Sequence, residues 1–261
     1  MVYINNQARR KEVTSLAGEN STFLGEHISV IKVFGLTFNV GNLVAGTLAA
    51  AIVFFVVLAL SRNLKVKPTS IKQNIIEWMA GFTNGMVKDT MNGDDAPKFS
   101  LYAFTLFFFI FFANQLGMLL QVRLPNGVTY IKSPTADPIV TLTLALMTLM
   151  MAHFAGIMKF GFKKYFSHTY FQPFKVWLPL SVFGEFTNFL TLGLRLFGNI
   201  FAGELLLKTI GNFAFSHGIW TLIAGAPLGI IWQGFSVFIG SIQAFVFVIL
   251  SSVYISQKLS D

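Results

Sequence analysis

Five stretches of this chain, residues 38–60, 101–121, 138–158, 176–215 and 228–255, are long and apolar enough to cross a lipid bilayer. A spanning helix needs roughly 20 mostly apolar residues. A lone strand cannot replace it, because its open backbone groups find no partner in hydrocarbon. Composition agrees: of 261 residues, 54% are hydrophobic and 11% charged, against about 25% charged in a soluble domain. That leaves too few charges to cover a water-facing surface. The 30 phenylalanines also exclude disorder, since disordered chains are poor in aromatics. The expected fold is all-α, a polytopic integral membrane protein of about five long helices.

The last two apolar regions exceed a simple crossing. Forty residues at 176–215 make on the order of 60 Å of helix, twice the roughly 30 Å of a hydrocarbon core. Such a segment tilts steeply, lies near the membrane plane, or breaks. Length leaves that angle open, but it shows that the pair within 176–257 is not an ordinary perpendicular hairpin. Between the first two spans, Ile71, Ile75, Ile76, Met79, Phe82, Met86 and Val87 recur at helical spacing, with Lys72, Glu77 and Lys88 between them. This predicts an amphipathic surface helix within 68–100; a small soluble helical cap is the plainer alternative.

Cations in short loops orient a membrane protein. Arg62, Lys65, Lys67, Lys72, Lys88 and Lys98 fall in one loop, and Lys159, Lys163, Lys164 and Lys175 in another. The intervening loop has only Arg123 and Lys132, and residues 211–227 have none. Alternation places 62–100, 159–175 and the C-terminus in the cytoplasm. Residues 1–37 then form an extracytoplasmic segment before a single membrane domain, 38–261, although Arg9, Arg10 and Lys11 oppose that orientation. The net charge of +8 thus reads as a basic membrane rim, not a nucleic-acid surface. Residues 1–11 have no apolar core behind their cations and do not read as a signal peptide.

Ionisable residues at bilayer depth cost about 2.5–3.5 kcal/mol each on insertion scales and mark function by default. Lys208 is near an end and can snorkel. Glu185, Arg195 and Glu204 lie deep in the fourth region. Arginine is always protonated, whereas a carboxyl in apolar surroundings can exchange protons near neutrality. Glu185 stands about 15 Å from Arg195 along a helix and Glu204 about 13.5 Å. At about 100° per residue, Glu204 faces opposite to Arg195 and Glu185 is turned by about 80°. Neither acid can pair closely with Arg195 on the same helix. Asn199, four residues on, lies near the arginine's face.

Two readings fit: a pair of proton routes separated by a fixed positive barrier, or a structural ion network in which Arg195 pairs with a glutamate across helices. The fifth region adds Ser236 and Gln243 on one helical face, near Gln233 and Ser241. Such residues ordinarily glue helices, but the Gln243 amide oxygen also suits a guanidinium. Gly184, Gly193, Gly198, Gly203, Gly234 and Gly240 would allow close helix approach. No cysteine is present, and no phosphate loop, zinc motif or nucleophile elbow occurs. His27, His153, His168 and His217 have no metal spacing and read as loop or interface residues.

The stretch LTLGLRLFGNIFAGE, residues 190–204, resembles the signature of the subunit a family of F-type ATP synthases. IQAFVFVIL at 242–250, followed by Tyr254, resembles that family's last helix, SPTADP at 133–138 the opening of its third span, and FANQLGML at 112–119 the span before. The resemblance covers about 34–256. It implies a proton-translocating stator in the membrane sector, without enzymatic chemistry or a cofactor of its own, whose tilted hairpin curves against a c-subunit ring. Its implied partners are that ring, the peripheral-stalk b subunits, the rest of the F-type ATP synthase and the lipid bilayer. By motif position, Arg195 matches the arginine that faces the ring carboxylate. Glu204 matches the acid of the outer half-channel, with Asn199 and Gln243 as polar neighbours. Glu185 matches a cytoplasmic half-channel position. Ser236 stands where some relatives have histidine, so a serine-held water replaces an imidazole there. Asp137 is a weaker match, at the outer mouth. The implied location is a bacterial plasma membrane, or alternatively a mitochondrial inner membrane. A stand-alone proton or cation channel, a purely structural membrane subunit, and sodium in place of protons are the competing expectations.

Overall fold

The computed structural model describes residues 21–23, 26–28, 30–33, 36–62, 65, 70–91, 93–119, 133–171, 178–216 and 218–260, with side chains from residue 41 onward except 119 and 167–171. Arg9, Arg10, Lys11, Lys67, Arg123, Lys132, Lys175 and His217 lie outside the described residues, as do the side chains of His27 and His168.

Among the described residues, two short antiparallel pairs come first: β1 (Ser21–Phe23) with β2 (Glu26–Ile28), and β3 (Val30–Val33) with β4 (Leu36–Asn39). Seven helices follow. They are α1 (Val40–Ser61), α2 (Ile71–Lys88), α3 (Ala96–Leu119), α4 (Pro138–Phe160), α5 (Phe162–Phe171), α6 (Leu178–Ala214) and α7 (Ile219–Leu259). Five of them, α1, α3, α4, α6 and α7, are long and apolar enough to cross a membrane. The polytopic helical body thus stands as the apolar runs require.

Local chemistry sets several ends. Asp137 caps α4, its carboxylate accepting from the Ile139 N–H at 2.9 Å, with Pro138 at the first helical position, where a missing N–H costs nothing. Gly161 ends the same helix at φ 78°, a backbone region that glycine enters freely.

Helix α7 packs against α6, α3 and α4, while α3 carries α1 and α2 on its other side. The core lies where these meet, with Ile110, Leu196, Ile200, Phe247, Val248 and Ile255 fully buried. In lipid there is little hydrophobic drive between helices, so close packing and interhelical hydrogen bonds hold them. A methyl on Gly193 would stand 2.8 Å from Leu142 Cδ2 and 3.2 Å from Leu142 Cα. Only glycine permits that approach of α6 to α4. Gly184, Gly198 and Gly234 do not act this way, since nothing comes within 4 Å of a methyl at any of them.

Four details differ from the sequence expectation. Helix α7 starts at Ile219 rather than 228, because Pro227 sits inside it instead of ending it; a proline in a membrane helix is tolerated when neighbours re-satisfy the freed backbone. Helix α3 starts at Ala96, before its apolar run. Residues 162–171, read as loop, form α5. In α2 the apolar stripe divides: Met79, Met86 and Val87 are buried with Gln73 and Thr83, while Ile71, Ile75, Trp78 and Phe82 are exposed.

Candidate functional site

The hairpin of α6 and α7 turns at 215–218, so the start of α6 and the end of α7 share one end of the bundle. At that end Lys258 donates to the Glu185 carboxylate. A third helix joins them, since His153 Nε2 of α4 lies 3.8 Å from Glu185 Oε2. The other ring nitrogen, Nδ1, is 2.6 Å from the Tyr165 hydroxyl of α5. Nearby, Asp95 takes ammonium groups from both Lys98 and Lys159 at 2.8 Å, and Lys159 also donates to the Leu259 carbonyl at 2.9 Å.

Glu204 belongs to the opposite end. It is 7% exposed and accepts the Ser133 backbone N–H at 3.1 Å. From there a buried polar chain runs inward. The Ser133 and Thr135 hydroxyls are 2.7 Å apart, Thr135 donates to Asn114 Oδ1 at 2.6 Å, and Asn114 donates to the Gly240 carbonyl at 2.9 Å. Ser236 adjoins Glu204 through Gly203, where a methyl would stand 3.7 Å from the serine oxygen. Trp232 donates to the Gly203 carbonyl at 3.1 Å. Asp137 accepts from Asn42 as well as capping α4, so it holds α1 to α4 at this end. Ser236 Oγ, Gln243 Nε2, Gln115 Oε1 and Asn42 Oδ1 are buried without a hydrogen-bond partner. Such atoms, without a partner among the described residues, cost free energy in an apolar interior.

Arg195 lies between the two ends. Its residue is exposed, on the face shared with Thr191, Leu194, Asn199 and Ala202, and it makes no hydrogen bond or ion pair with a described residue. The structural network between Arg195 and a glutamate is therefore not formed among the described residues: Glu185 is bonded to Lys258, and Glu204 accepts from Ser133. Gln243 is not the guanidinium's partner either. Its oxygen accepts from Asn199 Nδ2 at 2.6 Å, which links α6 to α7 one turn from the arginine. Exposed apolar side chains flank this face, Leu194, Leu205 and Leu206 on α6 and Phe235, Phe238, Ile242 and Phe245 on α7.

Sequence reasoning missed Lys258, His153 and Tyr165 at the Glu185 end, and Asn114, Ser133 and Thr135 at the Glu204 end. The inner trio carried a signal, since its members fall in the two motifs quoted from 112–119 and 133–138. The outer trio had none, for its partners are far apart in sequence.

Residues 43–256 match the family described as ATP synthase A chain. Among curated relatives, "ATP synthase subunit a" of Pediococcus pentosaceus is 62% identical over 237 residues, covering 91% of this chain and 99% of that protein. The protein of the same name from Limosilactobacillus fermentum is 52% identical with the same coverage, and that of Enterococcus hirae is 50% identical over 81% of this chain and 88% of its own. With a family match over most of its length and relatives covered almost end to end, the chain belongs to the ATP synthase A chain family.

Proposed function

We propose that this chain is the membrane stator of an F-type ATP synthase, moving protons between two offset half-paths and the carboxylates of a rotating c-subunit ring. One observation carries the reading: a fixed cation stands unpaired on an exposed helix face between two acids that open towards opposite ends of the bundle. Glu185 and Glu204 are nineteen residues apart on one continuous helix, about 28 Å, close to one hydrocarbon thickness. The long exposed face of α6 and α7 fits the ring, and the peripheral-stalk b subunits would hold the chain still against it.

In this scheme a proton enters past Asp137 and Asn42, reaches Glu204, and passes Ser236, Asn199 and Gln243 to a ring carboxylate. Buried hydroxyls and amides with unfilled hydrogen-bonding capacity favour water there. Arg195 attracts the deprotonated ring carboxylate and repels hydronium, so the two routes do not join. The ring turns, and the proton leaves at the Glu185 end. No covalent chemistry is needed in this chain; nucleotide turnover belongs to the rest of the complex. A stand-alone channel is disfavoured, because a permanent cation interrupts the polar path it would need. The bacterial relatives and basic loops support a plasma membrane, with the Glu185 end cytoplasmic.

The test is Arg195→Ala in inverted vesicles carrying the whole complex. Expected are loss of ATP-driven proton pumping to background and increased passive proton leak. Normal coupled pumping in the assembled variant would overturn the assignment.

A further inference from the structure

We infer that His153 is the proton carrier of the exit route, with Tyr165 as its outlet and Lys258 as the positioning group that holds the Glu185 carboxylate. The inference rests on the reading above, and it changes the part played by Glu185. A carboxylate bonded to an ammonium is a poor group to load and unload with protons. Lys258 and Glu185 are both largely buried, their side chains 12% and 18% exposed, and charge attraction gains weight where water is scarce. Glu185 thus binds Lys258 through one oxygen and turns the other towards a neighbour that becomes a cation when it carries a proton.

That cation is the imidazolium of His153. Its two nitrogens point to different partners, Nε2 towards Glu185 at 3.8 Å and Nδ1 to the Tyr165 hydroxyl at 2.6 Å. The longer contact fits one intervening water or a small shift. A proton leaving the ring binds Nε2 and forms imidazolium. The Nδ1 proton then passes to the Tyr165 oxygen, whose own hydroxyl proton moves on to water, and a flip of the imidazole ring restores the starting tautomer.

Two features show that this arrangement is built. Tyr165 seats its ring against Gly156 of α4, where a methyl would stand 2.3 Å from Tyr165 Cε2, so the hydroxyl reaches His153 only because residue 156 has no side chain. Lys159, bonded to the Leu259 carbonyl, fixes the end of α7 from which Lys258 reaches in. The charged and titratable groups around Glu185 are Lys258 and Tyr254 from α7, His153 from α4, and Arg195 on its own helix; Tyr254 lies within electrostatic reach of both Arg195 and Glu185. Tyr165 faces His153 from α5.

The experiment measures ATP synthesis by the complete complex in liposomes, at constant proton-motive force, while the pH on the exit side is varied from about 5.5 to 8, the range where an imidazole changes charge. His153→Gln keeps hydrogen-bonding capacity but cannot carry a proton. It is expected to lower the rate about a hundredfold, the low end of a lost acid–base group, to leave the KM for ADP unchanged and to flatten the pH profile. Tyr165→Phe should slow the rate in the same direction, Lys258→Gln should shift the profile, and Lys258→Arg should restore it. Wild-type rate and profile in assembled His153→Gln would overturn the inference. If that variant does not assemble, Tyr165→Phe decides, and an unchanged rate and profile there overturns it. The Arg195→Ala complex run alongside separates the two claims: retained coupling in that control refutes the stator reading, whereas lost coupling with an unaffected His153→Gln refutes only the exit relay.

Discussion

At the residue scale, what matters is which charges find a partner inside the chain. Glu185 has Lys258, Glu204 has the Ser133 amide, and Arg195 has none among the described residues. An arginine left open on an apolar face is costly unless something outside completes it. Glu204→Gln tests the opposite acid without disturbing the fold. The glutamine oxygen still accepts from Ser133, and its volume is almost unchanged. Coupled pumping is expected to fall to a small fraction of wild type, while the amount of assembled complex, read by co-purification of the other subunits, stays the same. Unchanged pumping would remove Glu204 from the route. Arg195 and Glu204 were legible in the sequence because charge within an apolar run is rare. Lys258 was not, because a lysine near the C-terminal end reads as one more orienting charge. Only the fold shows it reaching a carboxylate 73 residues away.

Elements were legible where the membrane imposes one answer. Each of the five apolar runs became a helix, because no other unpaired backbone survives in hydrocarbon. Ends were less legible: Ala96 and Pro227 show that helices run past the apolar stretch, and α5, with Lys163 and Lys164 before Tyr165, has no apolar run to announce it. The joint between α3, α4 and α7 rests on Asp95, just outside the span. Lys159 and Lys98 beside it hold its carboxyl below the ordinary carboxylate range, against the opposing effect of burial. A lowered folded value means stability that is present above the unfolded value of about 3.9 and lost as pH falls through the folded one. The purified protein should therefore melt at a higher temperature than Asp95→Asn at pH 7, and the gap should close as pH drops below about 4. A gap that persists or widens in acid would show that the pair of lysines does not stabilise through the carboxylate.

At the scale of the whole molecule, five crossings put the ends of the membrane body on opposite sides. The hairpin of α6 and α7 must then return its last residues to the side where α6 begins. The Lys258–Glu185 contact meets that requirement directly, and the Asp95–Lys159 pair ties the basic segments before α3 and after α4 to the same end. Glu204, Ser133, Asp137 and Asn42 gather at the other end. The proposed orientation puts the first group in the cytoplasm, and the chain offers a clean way to check it, since it contains no cysteine. Single cysteines at Ser216, in the hairpin turn, and Ser260, beyond α7, occupy exposed positions at the two ends. With a membrane-impermeant maleimide on right-side-out vesicles, Ser216→Cys should label at once and Ser260→Cys only after permeabilisation. The reverse pattern would invert the molecule, placing Glu204 rather than Glu185 at the cytoplasmic mouth and exchanging the proposed entry and exit routes. Labelling of both from one side would contradict the transmembrane hairpin itself, and with it the separation of the two acids on which the stator reading depends.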